Sequence, residues 1–268
     1  MKKFYQTIRK CWHLIKINAL NSWQEDTAHF WNNWGNIIST LSYTMVHILF
    51  WYILLNQFHT IAGYSLNEIL LFFLFGQIFF YLSYMFTKPS IQIFINDARK
   101  GNLDFILLRP VPSLFYVSFR KIPIVMVFRE LSVNTLPYIF FINWSSLHLK
   151  LFNVLIGMVM LAIGLVIWHC FMFVLAFLVF WFGESKHMFY MGEHFFDTKN
   201  PYESFPKQIR WFLIFIVPSL LIFALPVSVA LGKINYQNII YSLFVVSVFI
   251  WLKNWVWHQG LKRYTSAS

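Results

Sequence analysis

Two stretches of this chain gather side chains that are able to do chemistry. The first holds Glu184, His187, Glu193, His194 and Asp197, two histidines and three carboxylates within fourteen positions. Imidazole and carboxylate are donors that zinc accepts. Histidines set among aromatic residues in an interfacial loop more often serve as hydrogen-bonding amphipathic groups, so no metal is assigned. The second stretch is Arg129-Glu130, near or inside an apolar run. Charges at membrane depth are costly and must face protein, water, a neighbouring helix or each other. Adjacent helical residues point about 100° apart, so a direct mutual pair is not assured. A gate or substrate contact at the inner leaflet and a pair that snorkels to the cytoplasmic surface are equally open readings.

No other catalytic pattern is present. The chain has no G-x-x-x-x-G-K-[ST] loop, and Gly183-Glu184-Ser185-Lys186 lacks the first glycine and the spacing that cradle phosphates. It therefore is not expected to bind or hydrolyse ATP, and no catalytic or cofactor residue is assigned. Neither an H-E-x-x-H helix nor a G-x-S-x-G elbow occurs. With ten acidic residues spread over 268 positions, a lipid acyl- or phosphotransferase centre is hard to assemble.

The elements that would position these residues are set by composition. The chain is 59% hydrophobic, 21% aromatic and 12% charged, with a mean hydropathy of +0.59. A soluble globular chain carries about twice that charged fraction. An all-α integral membrane protein with one transmembrane domain, residues 1–268, is the expected class. The net charge of +11 lies in short connectors and the N-terminus, with no aromatic-basic face of a nucleic-acid module. Cys11 and Cys170 fall at different depths, so no disulfide is expected, and Met1–Lys10 leads into no compact apolar region of a cleaved signal.

Six spans are expected, at about 34–57, 67–86, 122–142, 151–182, 211–231 and 239–256. The fourth run is longer than one crossing needs and must tilt, kink or continue beyond the bilayer. Residues 1–30 carry Phe4, Ile8, Trp12 and Ile15 on one helical face, the pattern of an interfacial helix. Basic residues concentrate in the N-terminus, the 88–121 connector and the tail at Lys262-Arg263, whereas the opposing turns hold only Lys150 and Lys233. The heavy side is expected to be cytoplasmic, with both termini inside. Charges in 183–210 cancel and leave that region unplaced. Two small-residue stripes, Gly157/Gly164 and Ala224/Ser228/Gly232, suit close helix contact, within the chain in preference to between subunits.

The 88–121 connector has six basic residues (Lys88, Arg99, Lys100, Arg109, Arg120, Lys121) against Asp97 and Asp104. Its first half predicts an amphipathic helix with Ile91, Phe94, Ile95 and Ala98 on one side and Gln92, Asn96 and Arg99 towards the other. Pro89 suits the first helical position and Gly101 the residue past the end. Asn102 or Asp104 then caps a second turn through Leu107, Leu108 and Arg109, which Pro110 and Pro112 break. Asp104 and Arg109 are close enough in sequence to help fix that turn.

The connector carries the wording of a family. Gly101-Asn102-Leu103-Asp104, followed by Leu107-Leu108-Arg109-Pro110-Val111, resembles the G-x-L-D-x-x-L-L-R-P-V signature of ABC-2 transporter permeases, the membrane subunits of ATP-binding-cassette exporters. The order of spans and the segment Tyr202–Pro226, with Pro206, Arg210, Pro218 and Pro226, fit that family as well. The resemblance implies an export path shared with a second permease in a bacterial inner membrane, in contact with membrane lipid. Cytoplasmic ATPase subunits would bind the ATP and drive it. It also implies that Ile91–Lys100 is a coupling helix seated in an ATPase groove, with Leu103, Asp104, Leu108, Arg109 and Pro110 behind it. Phe94→Asp should then sever coupling while the subunit still inserts, and Gln92→Asp should be far milder. In that family part of the region before the last span re-enters the membrane from outside. An alternative therefore starts the fifth crossing near His187 and lets 206–231 dip back. The competing functions are a membrane enzyme acting on lipid and a non-transporting assembly or immunity protein.

Overall fold

The computed structural model describes residues 9–10, 12–13, 15–21, 23–24, 32–195, 201–215, 217–233 and 236–264. Long apolar helices dominate: α1 (Asn32–Phe58), α2 (Leu66–Phe86), α3 (Lys88–Arg99), α4 (Ile124–Phe141), α5 (Leu151–Phe177), α6 (Lys186–Phe195), α7 (Lys207–Phe215), α8 (Ser219–Ala230) and α9 (Tyr236–Arg263). No β-strand occurs among the described residues. Five helical stretches are long and apolar enough to cross a membrane: Ile37–Phe58, Leu66–Arg99, Ile124–Phe141, Leu151–Phe182 and Tyr236–Arg263.

The expected fifth span is not one helix. Lys207–Ile214 and Ser219–Ala230 meet at 100°. Pro218 supplies no N–H and biases Val217 away from helical geometry, so the ladder breaks there despite an apolar run. The described positions between 9 and 24 are helical, and Asn18 Nδ2 donates to the Phe119 carbonyl (3.0 Å).

Side-chain contacts give the bundle two chemically distinct ends. At one end, Asn67 Nδ2 donates to Ser146 Oγ (2.8 Å) and the Asn143 amide donates to Asn67 Oδ1 (3.0 Å), joining the start of α2 to the 142–150 turn. Lys233 pairs with Glu68 (3.0 Å) and lies 3.5 Å from the centre of the Tyr64 ring. The stretch S-x-x-E at Ser65–Glu68 forms a capping box that starts α2, with the Ser65 amide donating to Glu68 Oε2 (2.9 Å). Glu203 and Arg210 border the same small cavity as Tyr64, Ser228 and Lys233. Burial, and then the neighbouring Glu203 carboxylate, push the Tyr64 hydroxyl above its ordinary range. At the other end lie the connector and residues 183–195.

The segment from Glu203 to Lys233 thus leaves and returns to one end of the bundle, while 184–195 sits at the opposite end. The bent pair is a broken span or a re-entrant loop, the two arrangements that the sequence left open. The core forms where α5 meets α8 and α9. A Cβ on Gly157 would come 2.7 Å from the Pro226 carbonyl oxygen, and one on Gly164 would come 3.2 Å from Ile222 Cα. The small residues therefore let α5 and α8 approach at backbone distance, within the chain.

Candidate functional site

The connector begins at Thr87, the single residue between α2 and α3 (φ −125°, ψ −64°). Pro89 stands in the first turn of α3, where a missing N–H costs nothing. The helix stops at Gly101 (φ 72°), and the Asn102 amide reaches back to the Asp97 carbonyl (2.9 Å), the closing bond of a Schellman turn. A second helical turn follows at Asp104–Leu107, but Leu103 occupies its cap position, and neither Asn102 nor Asp104 caps it by a side chain. A carbonyl suffices there: that of Leu103 accepts from the Ile106 and Leu107 amides (both 2.9 Å). The Arg109 guanidinium lies over the Tyr116 ring (4.4 Å), which the prolines at 110 and 112 fold back beneath it.

The apolar face of α3 is turned inward. Ile91, Phe94, Ile95 and Leu103 are 0–1% exposed. Phe94 sits in an aromatic cage, with ring centres 5.2 Å from Phe177, 5.7 Å from Phe180 and 6.0 Å from Trp257. These residues lie at the ends of α5 and α9, so the excess length of the fourth run forms the bed for the connector. This corrects the expectation that Ile91, Phe94 and Ile95 face a partner. A helix at the surface of its own bundle buries its apolar stripe against that bundle first. Ala98, Gly101 and Asp104 are half-buried, and what faces outward is Gln92, Asn96, Arg99, Lys100, Phe105, Leu107, Leu108, Arg109 and Pro110. Leu108 is 83% and Phe105 72% exposed. The sequence reading missed Phe105, although its place two residues past the signature leucine was a usable signal.

Ion pairs fix the connector to the rest of its end. Arg120 pairs with Asp97, Lys88 with Glu193 (3.0 Å) and Arg99 with Glu184 (3.2 Å). Two of the carboxylates considered as zinc ligands thereby have cationic partners, and among the described residues no cluster able to hold a metal occurs. Asp197 and the side chain of His194 lie outside the described residues.

A family model for ABC-2 family transporter proteins matches residues 41–268. The chain belongs to the ABC-2 transporter family. No curated protein and no solved structure matches it. It is a multi-pass integral membrane protein and the membrane permease component of an ABC transporter; in this family, catalysis is not the permease's task. The ABC-2 signature at Gly101–Val111 accordingly covers both a buried anchor, Leu103, and the outward residues Leu108 to Pro110.

Arg129 and Glu130 do form a direct pair in this ABC-2 permease. Nε and Nη2 of Arg129 both donate to Glu130 Oε1 (3.2 and 2.9 Å). Glu130 is buried, its other oxygen lies 3.5 Å from the Thr40 hydroxyl of α1, and its carbonyl accepts from Asn134 Nδ2 (2.9 Å). Thr44 Oγ1 donates to Asn134 Oδ1 (3.0 Å), and one turn on, His47 Nδ1 lies 2.8 Å from the Tyr138 hydroxyl. Trp51 Nε1 can only donate, so His47 Nε2 is its acceptor (3.1 Å), and neutral His47 then donates from Nδ1 to Tyr138. A polar seam thus runs along α1 and α4 and satisfies the Arg129–Glu130 pair inside one chain.

Proposed function

We propose that this permease is an exporter subunit of a bacterial inner membrane, sharing its path with a second permease, identical or a sister chain. Separate cytoplasmic ATPases bind the ATP and engage the connector, which lies on the cytoplasmic side together with both termini and the interfacial N-terminal helix. The observation that supports this reading is the division of the connector. Ile91, Phe94 and Ile95 tie it to α5 and α9, while Phe105, Leu108 and Arg109 stand exposed beside Arg99 and Lys100. A movement imposed on the exposed side then passes into the spans through the buried side. The docking contacts accordingly shift from the Phe94 face to the Phe105–Arg109 turn. Arg129–Glu130 takes the structural role of holding α4 to α1.

The test is co-purification in mild detergent with a co-expressed candidate ABC ATPase, followed by ATP-driven transport in proteoliposomes. Leu108→Asp and Phe105→Asp should leave the permease folded and abolish association. Undiminished association and transport in both variants would place the docking surface elsewhere.

A further inference from the structure

We infer that the permease holds an anionic phosphate group at Lys253, in a lateral cavity where the connector meets the last span. This site is independent of the transport reading. A cavity of about 530 Å³ lies between Pro112–Phe119 and one face of α9, with Lys253, Asn254 and His258 along it. Pro112, Asn254 and His258 are exposed at its mouth, whereas Lys253 is 8% exposed and deep inside.

An ammonium at this depth, about ten residues or ~15 Å before the end of α9, needs a counter-charge. Among the described residues it has none. Lys253 Nζ donates to Ser118 Oγ (2.8 Å) and lies 3.0 Å from His169 Nε2 and 4.6 Å from the centre of the Phe173 ring. Ser118 passes its own proton to the Leu114 carbonyl (2.7 Å), so its oxygen is free to accept. His169 Nε2 accepts in the same way, which leaves its Nδ1–H for Thr87 Oγ1 (3.3 Å). The partners are neutral acceptors, and they use two of the three ammonium protons. The third donor and the whole formal charge remain for a ligand in the cavity that Lys253 borders.

Charge-assisted bonds to a phosphate oxygen are the interaction such a group makes best. The walls narrow the class further. Leu114, Phe115, Phe119 and Trp257 are apolar, and Ile250, 44% exposed, leads outward along the lateral face of α9. A headgroup phosphate at Lys253 with an acyl chain running past Ile250 satisfies both the cation and the apolar wall. An anionic phospholipid fits this arrangement better than free phosphate.

The experiment uses the full chain, delipidated in detergent and titrated with phosphatidylglycerol or phosphatidylcholine, with bound lipid counted by native mass spectrometry. Wild type and Lys253→Arg should hold one phosphatidylglycerol that Lys253→Gln binds roughly tenfold more weakly. Phosphatidylcholine should not distinguish the three. Ser113→Phe fills the cavity from the opposite wall without touching Lys253, and it should lose the same lipid even if Lys253→Gln folds poorly. Displacement of the lipid by millimolar inorganic phosphate would uphold the anion site and assign it to a soluble phosphate; no displacement assigns it to the lipid. Equal phosphatidylglycerol binding by wild type and Ser113→Phe, or by wild type and a folded Lys253→Gln, overturns the proposal.

Discussion

Removing the Phe94 ring tests most directly how the connector is held. The residue is 0% exposed and touches three aromatic rings from two helices. Truncation of such a phenylalanine to alanine costs about 3–5 kcal/mol, lost transfer energy and unfilled cavity together. For a chain of this size each kcal/mol shifts the melting temperature by about 2–4 °C, so Phe94→Ala should melt on the order of 10 °C lower. Phe94→Asp adds a buried carboxylate, several kcal/mol more, and should fail to fold, not merely lose a partner. Leu108→Ala removes a side chain that is 83% exposed and should stay within about 0.5 kcal/mol of wild type. A thiol-reactive dye that reports exposure of buried Cys170 gives the melting curves in detergent. A Phe94→Ala curve that overlays wild type while Leu108→Ala shifts would mean that the connector is turned the other way and that the cage is not formed.

Gly157→Val should destabilise by about 1–3 kcal/mol or more, because its Cβ would meet the Pro226 carbonyl at 2.7 Å; Gly35→Ala, with open space around it, should melt like wild type. Lys88 and Glu193 are each about a quarter exposed, so their coupling in a double-mutant cycle should come out at about 1 kcal/mol or less, and the swap of both charges should restore it. Cysteines at Asn102 and at Ser145 should react with an impermeant maleimide from opposite faces of the membrane, and labelling of both from one face would refute the two-ended bundle. The purified chain should show no nucleotide affinity by equilibrium dialysis, since no phosphate loop is present, and specific ATP binding would contradict that reading.

Apolar runs announced five of the long helices, and Pro89 and Gly101 announced both ends of α3, because these signals are local. The direction of the α3 face was not local. Ile91, Phe94 and Ile95 make the same stripe whether the chain or a partner covers it, and only the aromatic bed 83 to 163 residues downstream decides. Pro218 was visible, yet an apolar count over 211–231 is blind to a break in the ladder. Lys253 stood between Trp251 and Trp257 as one charge near a helix end; Ser118 and His169, which enclose it, lie 135 and 84 positions away. The ion pairs of Glu184 and Glu193 were equally remote, and they set the end of the bundle to which 184–195 belongs.

Thr87 separates α2 from α3 by one residue, and the aromatic cage clamps the far arm. An α-helix resists bending over a few turns, because each turn is closed by its own hydrogen bonds. The pair, a single helical stretch from Leu66 to Arg99, is therefore a stiff rod with one joint at Thr87. A push on the Phe105–Arg109 turn, if a partner supplied one, would have little slack to be absorbed in and would pass into α2, whose middle is buried on all sides from Ile69 to Gln77. Stiffness of this kind makes the joint, and not the length of the rod, the place where a softening substitution such as Thr87→Gly would uncouple the two ends of the bundle.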